Sequence, residues 1–136
     1  MTLYTTQGFK NDMQEVAENG FDFIAAYDPK MPTSKAEGLY FLSGKMQGTK
    51  RNDQNLIEKD LIVLDYDALS ENFTPEIFYN ALIEKIGNYS FMAYPTISHT
   101  IETPKYRVII PLQSPINNKE TYKDAVTYLT TCIGLE

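Results

Sequence analysis

The segment Leu61-Ile62-Val63-Leu64-Asp65-Tyr66 constrains the fold most, because a short unbroken apolar run reads as a buried strand, and this one ends in carboxylates at Asp65 and Asp67. Thr74-Pro75-Glu76 then has the make-up of a helix start: a capping hydroxyl, a proline at the first helical position and an acid in the first turn. That helix carries Ile77, Phe78, Ala81, Leu82 and Ile86 on one face and stops at Gly87. Ser90–Tyr94 and Tyr106–Ile110 read as further strands, the second ended by Pro111. A last helix runs from about Asn118 towards Ile133, with Ala125, Val126, Leu129 and Cys132 on one stripe.

Upstream, a helix is expected from Asn11 or Asp12 to Asn19-Gly20, followed by a strand over Phe21–Tyr27 that Asp28-Pro29 closes. Residues 28–37 are turn-rich, Leu39–Leu42 is a short strand, and Ser43–Gln54 is polar, flexible and locally basic. At 136 residues the chain fits one domain, read here as an N-terminal α/β unit over 1–59 and a second unit over 60–136. The order strand, helix, strand, strand, helix predicts an α+β fold. Its sheet is RRM-like or ferredoxin-like and antiparallel, with flanking helices, and it is one strand short of the full core.

Composition narrows the setting. The single cysteine, Cys132, excludes an intrachain disulfide and a cysteine-built zinc site, and is expected to be a small buried hydrophobe. A reducing, cytoplasmic location is the expectation. No apolar run approaches the roughly 20 residues needed to cross a bilayer. The N-terminal stretch lacks the pattern of a signal peptide, so no membrane partner is expected. Eighteen acidic residues against 12 basic ones give a net charge of −6, and Arg51 and Arg107 are the only arginines. Any basic face is therefore small, and contact of this chain alone with template DNA is expected to be weak.

Three motifs carry chemistry. Residues two apart on a strand share a face, so Asp65 and Asp67 can hold a divalent cation, and their hard oxygens suit Mg2+ or Mn2+. The bland alternative is a strand end that uses aspartate for its turn. Ser98-His99 lies in a hydroxyl-rich loop, where the only histidine can hydrogen-bond a phosphate oxygen or can simply be a turn residue. Lys105 and Arg107 share one face by parity, with Tyr106, Val108 and Ile110 on the other, and two such cations are suited to a triphosphate.

The runs LIVLDYD, YPTISHT and PKYRVIIPL, taken together, resemble the archaeo-eukaryotic primase superfamily, with the strongest likeness to the primase-polymerase domains of phages, plasmids and mobile islands of bacteria. The resemblance covers roughly residues 38–134 and is strongest between 60 and 112. It implies catalytic roles for Asp65, Asp67 and His99, with Asp65 and Asp67 as metal ligands. It also implies that Ser98, His99, Lys105 and Arg107 bind a nucleoside triphosphate. Ile97 departs from the small residue that the family places two before its histidine. A third acidic motif is expected on a strand after the last helix, and the sequence stops before such a strand, as a piece of a larger replication protein would. The implied activity is template-directed nucleotide addition, with a helicase domain or subunit as a further partner. Lys45, Lys50 and Arg51 are candidates for contact with nucleic-acid phosphates.

Two rival readings follow from the same residues. A binding module without turnover would use Tyr66, Tyr94 and Tyr106 as stacking platforms for bases. An acidic interaction protein of mobile-element origin would need neither Asp65 nor His99.

Overall fold

The computed structural model describes residues 3–7, 14–15, 39–43, 45–46 and 56–135, with side chains from Glu58 onward. The fold is α+β. Two compact units share the chain: residues 1–61 with 112–118, and residues 62–111 with 119–136.

In the first unit, β1 (Leu3–Gln7) lies between β2 (Gln14–Glu15) and β3 (Leu39–Ser43), antiparallel to both. The β1–β3 register runs from Leu3 opposite Ser43 to Gln7 opposite Leu39. β3 is the strand expected at 39–42. The expected helix over 11–20 is corrected at Gln14 and Glu15, which pair with Thr5 and Tyr4. Pairing with the preceding strand overrides weak local helix signals. The rest of that segment and the strand expected at 21–27 lie outside the described residues. β4 (Lys45–Met46) falls in the stretch expected to be an irregular loop and pairs antiparallel with the following strand, Lys45 opposite Glu58 and Met46 opposite Leu56. Lys50 and Arg51 lie outside the described residues.

The second unit contains the end of β5 (Leu56–Tyr66), α1 (Pro75–Ile86), β6 (Met92–Pro95), the first part of β7 (Tyr106–Ile116) and α2 (Lys119–Ile133). β7 is inserted between β5 and β6, so the strands joined through α1 are not neighbours. That is the split β-α-β arrangement expected from the element order. β6 and β7 form an antiparallel hairpin with Met92 opposite Ile109 and Tyr94 opposite Arg107. β7 runs on through Pro111, where the sequence reading ends it. Pro111 lies beyond the last β6 pair, Met92 with Ile109, where a missing N–H removes no bond to β6.

α1 begins as its sequence dictates: the Thr74 Oγ1 accepts from the Ile77 N–H at 3.3 Å, and Pro75 occupies the first turn. It closes with the Gly87 N–H donating to the Ile83 carbonyl at 2.9 Å. Phe78, Leu82 and Ile86 are buried at i, i+4, i+8, whereas Ile77, assigned to that face from the sequence, is 52% exposed. A single row of contacts against the sheet is narrower than the stripe the sequence suggests.

On α2 the inward row is Tyr122, Val126, Leu129 and Ile133, with Ile133 fully buried. Cys132, expected to be buried, is exposed, because each helical residue turns about 100° from the last. The core of this unit centres on Tyr66, Phe78 and Tyr106, and the buried Ile62, Leu64, Val108 and Ile110 share strand parity with the two tyrosines. Burying each such side chain stabilises the fold by roughly 1.5–3 kcal/mol before entropy is counted.

Candidate functional site

Parity decides which side chains reach the open face. Leu64 and Tyr66 are buried, Tyr66 against Phe78 of α1, so Asp65 between them points the other way and is exposed. In β7, Tyr106 and Val108 are buried, and Arg107 between them projects to the Asp65 side. The register places Tyr94 of β6 directly opposite Arg107. Asp65, Arg107 and Tyr94 therefore form one row across the three strands.

The row is bonded. The Arg107 Nε donates to the Asp65 Oδ1 at 2.7 Å. Burial works against the Arg107 charge, but the hydrogen bond from Arg107 to Asp65 and the neighbouring Tyr94 outweigh it and hold its pKa above the ordinary value. Burial pushes the Tyr94 phenol up, partly offset by the positive charge of Arg107 and a hydrogen bond to it. Side-chain exposures of 33% for Arg107 and 48% for Asp65 leave the pair in contact with water, so it contributes at most about 1 kcal/mol to stability. A pair that adds so little to the fold is free to serve another purpose.

Tyr122, on the inward row of α2, is the member that sequence reasoning missed. Its hydroxyl accepts from the Val63 N–H at 3.4 Å. Burial raises its pKa, and the negative charge of Asp65 adds to the rise. Its position at i−4 from Val126 marks it as inward-facing, but no sequence pattern says which strand it meets.

The β6–β7 loop holds the histidine. Thr96 N–H donates to the Lys105 carbonyl and His99 N–H to the Thr96 carbonyl, each at 3.0 Å, which closes the loop and forms a turn inside it. The Lys105 N–H donates to His99 Nδ1 at 3.0 Å, and the imidazole lies against Tyr106 with ring centroids 5.0 Å apart. An Nδ1 that accepts leaves the proton of the neutral ring on Nε2, as a hydrogen-bond donor. Thr100 and Thr103 bond to one another through hydroxyl and backbone.

The structure thus joins Asp65 to Arg107, and His99 to the backbone of Lys105. Because Asp65 meets Arg107, the end of β5, the end of β6 and the start of β7 lie at the same end of this three-stranded set. The His99 loop connects the last two. Asp67 follows the end of β5 and is exposed, and Ser98 sits in the turn of the loop, half-buried. Lys45 lies in β4, away from these residues in the chain. Tyr66 and Tyr106 are closed off at 2% and 1% exposure, so of the three candidate stacking tyrosines only Tyr94 reaches the open face.

Among the described residues no group of three or more His, Cys, Asp or Glu side chains converges as a metal-binding cluster. Asp65 and Asp67 are exposed carboxylates, the hard oxygen donors that a magnesium or manganese site would use. Asp65 Oδ1 is engaged by Arg107. A cleft of about 340 Å³ between α1 and β6 is lined by Pro75, Glu76, Phe78, Tyr79, Ala93, Tyr94, Pro95 and Tyr106. It includes none of Asp65, Asp67, His99 or Arg107, and the chemistry-bearing residues lie outside it.

These features define an α+β domain built on a split β-α-β unit, with the Asp65–Arg107 pair at one end of its sheet. The chain belongs to the VapE N-terminal domain family, which matches residues 12–136. VapE-like proteins are related to phage and plasmid replication. No curated protein and no solved structure matches the chain.

Proposed function

We propose that this domain binds a nucleoside triphosphate as part of a primase-polymerase-type nucleotidyltransferase in a replication protein of a phage, plasmid or mobile island. The observation that carries the reading is the 2.7 Å contact between Asp65 and Arg107 at the sheet end that also bears His99. An acid for a cation and a base for a phosphate must stand side by side to hold a metal–triphosphate complex, and these two do.

Asp65 and Asp67 would hold the divalent ions. When bound, such ions activate an attacking hydroxyl and neutralise the triphosphate and the departing pyrophosphate. Arg107 supplies planar N–H donors suited to phosphate oxygens, and Lys105 adds a point charge beside it. His99 donates from Nε2 while its other nitrogen is held by the Lys105 amide, which fixes the ring for one acceptor. None of these side chains needs to remove a proton. Template DNA would be held mainly by other parts of the replication protein, given the −6 charge of this chain, and a helicase domain or subunit is the natural companion.

Calorimetric titration of ATP with manganese tests the reading, beside an Asp65→Ala/Asp67→Ala double variant. Manganese-dependent binding that the double variant loses, with its thermal midpoint within a few degrees of the parent, is the expected result. Equal binding by the two proteins would overturn the site assignment.

A further inference from the structure

β6 is the outer strand of its sheet, and among the described residues no strand lies on its far side. Its ladder to β7 fixes which backbone groups face out. The Thr96 N–H donates to the Lys105 carbonyl, which makes that pair, and by alternation Tyr94 with Arg107, the ones that exchange hydrogen bonds. Ala93, opposite Val108, falls at the intervening kind of position, so its N–H and C=O point away from β7. Pro95, which has no N–H to offer, takes the other such position. We infer that this edge receives an extended segment of a partner protein, which pairs antiparallel with Ala93 and sets one large apolar side chain into the cleft beside α1.

A residue paired directly opposite Ala93 carries its side chain on the same face as Ala93, the face on which Val108 is fully buried. The Ala93 methyl is small, and the cleft of about 340 Å³ beside it is walled by Pro75, Phe78, Tyr79 and Tyr106. That volume is at the small end of the range for ligand sites and suits a single aromatic or branched aliphatic side chain. Charge selects a second position. Glu76, exposed in the first turn of α1, lines the cleft together with Pro95, whereas Tyr79 packs against Phe91 with ring centroids 5.5 Å apart. The partner residue facing Pro95, two before the apolar one, therefore meets Glu76 and is a lysine or arginine. A second copy of the chain offers no side chain for the cleft: paired about Ala93 it repeats the methyl, and Phe91 is already held by Tyr79. Main-chain hydrogen bonds supply the affinity of such a pairing and the cleft its choice of sequence. The cleft lies on the opposite face of the sheet from Asp65 and Arg107, so its occupancy does not depend on nucleotide binding.

A capped nonapeptide with the core Lys-Thr-Phe and threonine elsewhere is the probe. Added to the isotope-labelled whole chain, it is expected to slow hydrogen exchange at the Ala93 amide. Methylating the backbone nitrogen of its phenylalanine is expected to weaken binding roughly two- to tenfold. Replacing that phenylalanine by glycine is expected to weaken it at least about tenfold. Glu76→Gln, at an exposed position, is expected to weaken binding about two- to fivefold and to remove most of its salt dependence. Ala93→Leu fills the cleft and is expected to abolish binding in a chain whose thermal midpoint stays near the parent's; if it unfolds the chain, the two peptide substitutions decide. Binding that leaves exchange at Ala93 unchanged, or equal affinity for the methylated peptide, would overturn the pairing. So would a folded chain that binds no peptide, or an Ala93 amide already protected in the peptide-free monomer. Protection that grows with protein concentration alone would give the edge to a second copy and overturn it too.

Discussion

Tyr106 stacks on Phe78 with ring centroids 4.3 Å apart and planes 9° from parallel, while its hydroxyl donates to the Phe73 carbonyl at 2.6 Å. One residue of β7 is thereby fixed to both the body and the N-terminal approach of α1. Its neighbour Arg107 is held facing the other way. Phe78 also meets Tyr66 edge-on at 5.4 Å. Phe78→Ala removes the hub of this cluster and is expected to lower stability by about 3–5 kcal/mol. Tyr106→Phe keeps the ring and loses one part-buried hydrogen bond, and is expected to cost about 0.5–1.5 kcal/mol. Urea denaturation measures both. Equal losses would mean that the packed rings stabilise this unit no more than the single hydrogen bond does.

The two glycines that end the helices differ in what they require. Gly134 has φ 63°, a left-handed conformation, and its N–H donates to the Thr130 carbonyl at 3.0 Å. Gly134→Ala is expected to cost about 1 kcal/mol through backbone strain alone. Gly87 has an ordinary φ of −62°, but a side chain there would run into the Ile83 carbonyl that its own N–H caps. Gly87→Ala therefore has to shift the end of α1, and a larger loss than at Gly134 is expected. Thermal unfolding of the two variants side by side decides the ranking.

The second half of the fold is legible in the sequence because its signals are local and agree with one another. Thr74-Pro75 at the start and Gly87 at the end bound α1, and the LIVLDY run becomes the final residues of β5. Parity alone sets Arg107 on the face opposite Tyr106 and Val108, and Asp65 on the face opposite Leu64 and Tyr66. Register is what the sequence does not carry. Nothing in it says that Arg107 lies opposite Tyr94, or that Tyr122 reaches Val63, because those pairings depend on how distant segments slide against one another. The strand at Gln14–Glu15 reads as helix for the same reason: its partner, Tyr4-Thr5, precedes it by about ten residues and carries no hydrophobic pattern that announces a sheet. Cys132 and Ile133 differ by one step around α2, a distinction that only the packed helix resolves.

His99 combines a structural bond and a proposed chemical one, and a single substitution separates them. Asn offers a carbonyl oxygen at about the place of Nδ1, able to accept from the Lys105 N–H, but has no counterpart to Nε2. His99→Asn is expected to retain slow hydrogen exchange at the Lys105 amide and to weaken manganese–ATP binding by roughly tenfold, the loss of a hydrogen bond to a charged group. His99→Ala is expected to lose both. If His99→Asn binds manganese–ATP as tightly as the parent, the histidine serves the loop alone.

Tyr94 and Tyr122 give the second unit a defined alkaline limit. Burial holds both phenols above their ordinary value of 10.0, so the folded chain keeps protons that the unfolded chain releases. The sign follows from linkage: below pH 10 both states are protonated and the contribution is complete. As pH rises through 10 towards the folded-state values, the unfolded chain ionises first and stability falls. Thermal midpoints measured between pH 8 and 11, alongside phenolate absorbance, are expected to be flat at first and then to decline. Tyr94→Phe removes one such group and is expected to make that decline shallower, although it also deprives Arg107 of a neighbour. An unchanged slope in Tyr94→Phe would mean that its phenol titrates as freely in the folded chain as in the unfolded one.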